Sequence, residues 1–292
     1  MNTAIGIDIG GTRIKAVVVN EAGQISHQQY ADTNDLDATW KNVVATTAEN
    51  LIERSKGTTL IGISAPGLPN ESNEAIVCMP GRMQGLENFS WKDFLRQPAF
   101  VLNDAVAAMM AEAKFGSARN RKHVVMLTLG TGVGGAILID GKPYQGAFSK
   151  AGHIGHMVID DEGETDVTGM PGSLEDCIGN CTILRRSQGR FASTRQLLYA
   201  YKNGDSFAKQ VWLKSIRQLA LGIASITNIL SPEVVVLGGG ITEAGKDLFD
   251  PLQQYMDQYE WRAGGDKVEI VKATFGDLAG AIGAACFAMT KY

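Results

Sequence analysis

The chain has 292 residues, with 27 Lys and Arg against 31 Asp and Glu for a formal charge of −4, and is 45% hydrophobic and 20% charged. That is an ordinary globular balance, long enough for two domains, and it excludes a disordered chain. It also argues against a nucleic-acid partner, whose phosphates call for clustered positive charge. Glycine is the outlier at 34 residues, roughly 12% against a usual share of about 7%, which points to tight turns or to backbone lying against a ligand.

Ile5 to Ile9 reads as a strand that turns at Gly10-Gly11-Thr12. Ala16 to Asn20 is a second strand and Gln24 to Tyr30 a third. Asp37 to Lys56 has helical spacing, with Trp40, Val43, Val44, Leu51 and Ile52 on one face. Leu60 to Ser64 is a strand ending at Ala65-Pro66-Gly67, and Phe100 to Leu102 another ending at Asn103-Asp104. A buried helix is predicted over Ala105 to Phe115. The same sequence of events then recurs. Val124 to Leu129 is a strand, Gly130-Thr131-Gly132 a turn, Gly135 to Ile139 a strand, Asp140-Gly141 a hairpin turn and Lys142 to Tyr144 a third strand. Helix follows over Ser206 to Leu230, then a buried strand from Glu233 to Leu237, Gly238-Gly239-Gly240, a long helix through Tyr259 and a close-packed terminal helix.

This internal duplication predicts two α/β domains with mixed sheets, because the opening hairpins must be antiparallel. The boundary is placed at 116–122, giving an N-terminal domain over 1–117, joined by the C-terminal helix 276–292, and a C-terminal domain over 118–275. The four cysteines, Cys78, Cys177, Cys181 and Cys286, are too scattered for a disulfide scaffold and read as buried free thiols. No secretory signal and no apolar run near the roughly 20 residues of a membrane span is visible. A cytoplasmic protein with no membrane partner is expected.

Three glycine-rich stretches invite a phosphate-binding reading. Gly130 to Gly135 matches G-x-G-x-x-G, but a strand follows where the dinucleotide fingerprint needs a helix. Gly240 to Asp247 matches G-x-x-x-x-G-K, with Asp247 in place of the magnesium-binding hydroxyl, and Lys246 reads as the start of a solvated helix. The third feature is a pair: Asp8, Gly10, Gly11, Thr12 and Lys15 around one turn, and Gly130, Thr131 and Gly132 around the other. In each, glycine bares backbone N–H groups while threonine offers a hydroxyl. Two such hairpins facing each other could clamp a triphosphate, and Asp8 could orient water on a magnesium ion.

Asp8 to Lys15, Leu102 to Ala105, Gly130 to Gly135, Gly152 to His156, Gly238 to Gly240 and Gly276 to Ala284 together resemble the ROK family of sugar kinases, in order and spacing over nearly the whole chain. The resemblance implies the duplicated actin-like ATPase (ribonuclease H-like) fold, with two domains and a central cleft. It implies ATP and Mg2+ as cofactors and transfer of the γ-phosphoryl group to a sugar hydroxyl, usually the 6-hydroxyl of a hexose. Asp104 becomes the candidate catalytic base, a role its carboxylate suits because the attacking hydroxyl must lose a proton. Asn103 offers the sugar a donor and an acceptor, although Asn103-Asp104 also reads as a helix cap. Gly67, His153, His156 and Glu175 are the further substrate-side candidates, and Gly238, Gly239 and Gly240 are expected against the adenosine. A homodimer is expected, as in many relatives.

Two departures stand out. The family commonly has Glu-x-Gly-His, with Glu and His both touching the sugar, where this chain has His153-Ile154-Gly155-His156. The family's Cys-x-Cys-Gly-x-x-Gly-Cys-x-Glu, whose thiolates and a preceding His bind structural zinc, becomes Asp166 to Glu175 without cysteine. No structural zinc is expected there. A replacement metal site from His153, His156, Cys177 and Cys181 stays open, against the reading that Cys177 and Cys181 lie at helical spacing in the core. Glucokinase is the leading expectation. An N-acetylmannosamine-type kinase and a non-catalytic sugar-responsive regulator are the alternatives. Because the first strand begins by Ala4, no DNA-binding helix-turn-helix is expected ahead of it.

Overall fold

The computed structural model describes residues 2–33, 38–55, 57–79 and 83–291. The chain divides into two compact units, the first made of Met1–Lys122, Ile137–Ala151 and Ala273–Tyr292, the second of His123–Ala136 and Gly152–Lys272. The first stretch forms β1 (Thr3–Ile9), β2 (Arg13–Asn20), β3 (Ile25–Asp32), α1 (Trp40–Arg54), β4 (Ile61–Ala65), β5 (Leu68–Pro69), β6 (Ile76–Cys78), α2 (Trp91–Leu95), β7 (Ala99–Asn103) and α3 (Asp104–Phe115). Then come β8 (Val124–Leu129), β9 (Val133–Ile139), β10 (Lys142–Pro143), α4 (Leu174–Ile178), α5 (Ile183–Arg186), α6 (Thr194–Lys202) and α7 (Ser206–Leu230). The chain ends with β11 (Val234–Gly238), α8 (Lys246–Tyr259), β12 (Glu269–Lys272) and α9 (Ala279–Thr290).

The two five-stranded sheets share one topology, β3-β2-β1-β4-β7 and β10-β9-β8-β11-β12. In the first, β1–β2 and β2–β3 are antiparallel, while β1–β4 and β4–β7 are parallel. In the second, β9–β10 is antiparallel, and β8–β11 and β11–β12 are parallel. Short glycine turns allow only antiparallel return, whereas strands separated by a helix can run parallel. The expected duplication and mixed pairing are both present. Strands β4 and β11 are buried at every position, as their continuous apolar runs require.

Some expectations change. The helix expected over 37–56 is α1, with Trp40, Val44 and Leu51 buried and Val43 and Ile52 only partly so. Asp37 and Lys56 lie outside the described residues. The long helix after Gly240 begins only at Lys246, because Gly240–Ala244 forms a 3-10 turn. Cys177 and Cys286 are buried, but Cys78 and Cys181 are exposed, so burial of the thiols holds for half of them. Cys181 is not on one helix with Cys177. Helix α4 stops at Gly179, whose ψ of 147° leaves the helical region, and Cys181 sits in a separate 3-10 turn.

Within the first unit, α9 is buried from Ala279 to Ala288 and packs on α3, β1 and β4. The approach needs glycine, since a Cβ at Gly6 would overlap the Ala281 carbonyl. Glu112 of α3 is fully buried. Its Oε1 accepts from the N–H groups of Thr274 and Phe275, and its Oε2 from the N–H and Oγ of Ser117. That carboxylate fixes the chain just before α9. No helix among the described residues is long and apolar enough to cross a membrane.

Candidate active site

In the first unit the parallel strands β1, β4 and β7 end side by side, with Asp8 level with Ser64 and Ala65 level with Asn103. Loops at this sheet edge are where open α/β folds place ligands. The Asp8 side chain is only 14% exposed, lies 3.3 Å from Lys15 Nζ and accepts from Ser64 Oγ at 2.6 Å. Burial raises the Asp8 pKa above its ordinary value, against the pull of Lys15 and of the Ser64 hydrogen bond. A cation held nearby through water would offset that desolvation.

The turn after Asp8 is tied from behind by Thr33, which is fully buried. Its N–H donates to the Thr12 carbonyl and its Oγ1 to the Gly10 carbonyl. The Gly10 N–H closes on Arg13 O at 3.0 Å. With the carbonyls held back, the N–H groups of Gly11 and Thr12 have no backbone partner among the described residues. Such a set of amides can cradle an anion.

Asn103 is the N-cap of α3, its Oδ1 accepting from Ala105 and Val106 N–H groups and its Nδ2 donating to the Gly67 carbonyl at 3.1 Å. The acceptor face expected to meet a sugar is therefore committed to the cap, and the second Nδ2 hydrogen is what Asn103 can offer. Gly67, at a φ of 100°, serves through that carbonyl. Asp104 is the first residue of α3, solvent-exposed, with Oδ1 accepting from the Ala105 N–H at 2.8 Å.

In the second unit, Gly130-Thr131-Gly132 repeats the design. The Gly130 carbonyl accepts from Asn180, the Thr131 carbonyl from Cys181 and the Gly132 carbonyl from Gly130, all through backbone N–H groups. Glu175, at the start of α4, accepts from the Val133 N–H through Oε2 at 2.9 Å. It lies so close that a Cβ on Gly132 would overlap its carboxylate. Strands β8 and β11 run parallel with Gly238 level with Thr128, so Gly238, Gly239 and Gly240 lie beside the end of β8 that feeds this turn. Gly239, at a φ of 85°, leaves no space for a Cβ against the Leu129 backbone.

His153 precedes the 3-10 turn Ile154–His156, and the two imidazoles stack at 6.5 Å and 10°. Burial, then the nearby His156, lowers the His153 pKa and favours neutral imidazole. His156 Nδ1 is 2.9 Å from Asp166 Oδ2. Gly155 backs onto the Val133 carbonyl, so the histidine turn and the Gly130–Gly132 turn share a wall. Burial pushes the Cys177 thiol up to about 11, away from the thiolate a metal needs. Among the described residues no three or more His, Cys, Asp and Glu side chains are grouped to hold a metal ion.

Thr33, Ser64 and Asp166 were missed from sequence. Ser64 was detectable as the lone polar side chain in the buried apolar strand β4. Thr33 and Asp166 act across 23 and 10 residues, with no local pattern to announce them.

Two sheets of one topology, each opened by a glycine turn whose carbonyls are tied back, define an actin-like ATPase fold. The chain belongs to the ROK family, whose model matches residues 4–291. It is 30% identical to a glucokinase of Thermotoga maritima over 96% of this chain and 95% of that protein. It is 31% identical to an N-acetylmannosamine kinase of Vibrio cholerae over 81% and 83%. The structure resembles a ROK hexokinase from Thermus thermophilus with a TM-score of 0.88 at 27% identity, covering 99% of this chain and 98% of that one. It also resembles a ROK glucokinase from Streptomyces griseus, in complex with glucose and AMPPNP, with a TM-score of 0.80 at 26% identity over 99% and 100%.

Proposed function

We propose that the protein is an ATP-dependent sugar kinase that transfers the γ-phosphoryl group to a hexose hydroxyl, the 6-hydroxyl of glucose first. The observation that carries this reading is the pair of tied-back glycine turns at equivalent points of the duplicated sheets, in a chain of the ROK family. The amides around Gly10 to Thr12 and Gly130 to Gly132 hold the phosphates, with Lys15 beside the first turn. Gly238 to Gly240 pack on the adenosine. Asp8 would hold a magnesium ion through water, which would supply positive charge against the phosphates. Asp104 accepts the proton of the attacking hydroxyl as its oxygen forms the bond to phosphorus and ADP leaves. Asn103, His156 and Glu175 orient the sugar, with His153 beside them and Gly67 holding Asn103.

His153 favours a second reading. Imidazole in place of a carboxylate removes an acceptor that grips two hydroxyls at once. An N-acetylhexosamine of the N-acetylmannosamine type is then the alternative substrate. ADP production measured over glucose, mannose, fructose, allose, glucosamine and the N-acetylhexosamines tests both. One of these should be turned over with a kcat/KM well above the rest. ADP release independent of every sugar contradicts it.

A further inference from the structure

The family's zinc does not fit this chain. Its three cysteine positions are Asp166, Thr168 and Ser173, and each has a hydrogen-bonding task of its own. Asp166 Oδ1 accepts from the Thr168 N–H, the Thr168 Oγ1 and the Met170 N–H. Its Oδ2 faces His156 Nδ1 at 2.9 Å. Ser173 Oγ caps α4 by accepting from the Asp176 N–H. The donors are hard and already engaged, where structural zinc wants thiolate.

The surrounding segment is closed without metal. Bridges pair Val158 with Ser173 and Thr165 with Pro171. Arg185 joins Glu164 at 2.9 Å and Asp176 at 2.6 Å, linking the segment to α4. At its centre the Asp166 side chain is completely shielded from solvent, whereas that of His156 is 32% exposed. Burial opposes ionisation of Asp166. The hydrogen bonds from Thr168 Oγ1, His156 and the Met170 and Thr168 amides outweigh it and hold the carboxyl well below the usual range.

An ionised carboxylate has no hydrogen to give, so the proton of the 2.9 Å contact sits on Nδ1. Neutral His156 then has Nε2 bare. We propose that Asp166 is a positioning residue that fixes His156 as the Nδ1–H tautomer, presenting Nε2 to accept from a sugar hydroxyl, and that this carboxylate-centred cluster replaces a metal as the organiser of residues 156–175. The sugar half of the inference rests on His156 contacting sugar, as proposed above; the tautomer does not.

The two parts separate experimentally. In the 15N-labelled protein with four histidines, His156 is assigned by loss of its signals in His156→Gln. Spectra are taken at roughly pH 8.5, about two units above ordinary imidazole titration. The expected wild-type result is protonated Nδ1 and unprotonated Nε2, unchanged by a chelator. The opposite tautomer, or stoichiometric zinc in the purified protein, overturns the inference. In Asp166→Asn the amide donates to Nδ1, which moves the ring proton to Nε2 and removes the acceptor. The sugar KM should rise about 10- to 100-fold, the loss seen when the outer-shell partner of a metal-bound histidine is removed, with the ATP KM unchanged. A wild-type tautomer as expected, with an unaltered sugar KM in a folded Asp166→Asn protein, overturns the contact of His156 with sugar and leaves the tautomer assignment standing. If Asp166→Asn does not fold, the wild-type spectrum still decides the tautomer, and Thr168→Val, which keeps the Asp166–His156 pair, should retain both tautomer and sugar KM. A changed tautomer in folded Thr168→Val contradicts the assignment of that pair.

Discussion

Glu175 Oε2 accepts the Val133 N–H at 2.9 Å, which ties a proposed sugar contact to the strand that leaves the Gly130–Gly132 turn. One carboxylate oxygen holds the turn, and the other remains for the sugar. Glu175→Ala should therefore raise the KM for ATP as well as for sugar, and destabilise the protein by about 1–3 kcal/mol through the orphaned N–H. Gly132→Ala, which forces a methyl into the carboxylate, should damage the ATP KM likewise. Steady-state kinetics in both substrates checks this. A Glu175→Ala effect confined to the sugar would separate the residue from the turn.

Asp8 is held at a cost to folding. Its pKa is raised from 3.8 by burial, against Lys15 and Ser64, so protons bind it more tightly in the folded than in the unfolded chain. Its contribution to stability is full below the unfolded value and is lost as pH rises through the folded one. Asp8→Asn should melt above wild type near neutral pH, with the gap closing on acidification to about pH 4, while losing most of its ATP-dependent activity. Melting temperatures at several pH values test the sign; a variant that melts lower at pH 7 contradicts it.

Glu112 has no proposed part in chemistry, yet both its oxygens are saturated by donors from two chain segments. Glu112→Ala should cost about 3 kcal/mol or more. Glu112→Gln should cost nearly as much, because its NH2 would face donors in place of an acceptor. Denaturant unfolding measures both. A Gln variant as stable as wild type would mean that one oxygen suffices.

His153→Glu restores the carboxylate of the common family pattern. The sugar profile should move towards glucose, and the preferred sugar should bind more tightly. A profile identical to wild type would remove His153 from the sugar site. The lowered His153 pKa adds a pH sign: its contribution favours the fold above the unfolded value of 6.5 and is lost as pH falls through the lower folded one.

Much of this molecule is legible in its sequence. The first two strands of each sheet show as apolar runs broken by Gly10-Gly11-Thr12 and Gly130-Thr131-Gly132, because strand alternation and tight turns are local. Helices α3, α7 and α9 show for the same reason. Strands β5, β6 and β12 and helices α2, α4 and α5 do not, since these short segments lack the continuous apolar run that marks β4 and β11. The site is legible in its residue types and not in its couplings. The Glu175 contact with Val133 spans 42 residues and the Ser64 contact with Asp8 spans 56. The cap that consumes the Asn103 acceptor was visible as a possibility, and only the geometry shows how it limits what Asn103 offers a sugar.

Phosphoryl transfer from ATP to a sugar hydroxyl, with Asp104 as the base, can be observed directly. The direct measurement is sugar phosphate formed from ATP, followed by 31P NMR, in wild type and Asp104→Asn. Wild type should yield a hexose phosphate, and the variant should form it about 100- to 10,000-fold more slowly, the usual contribution of a positioned base. A variant that forms the same product at a rate close to wild type would contradict it.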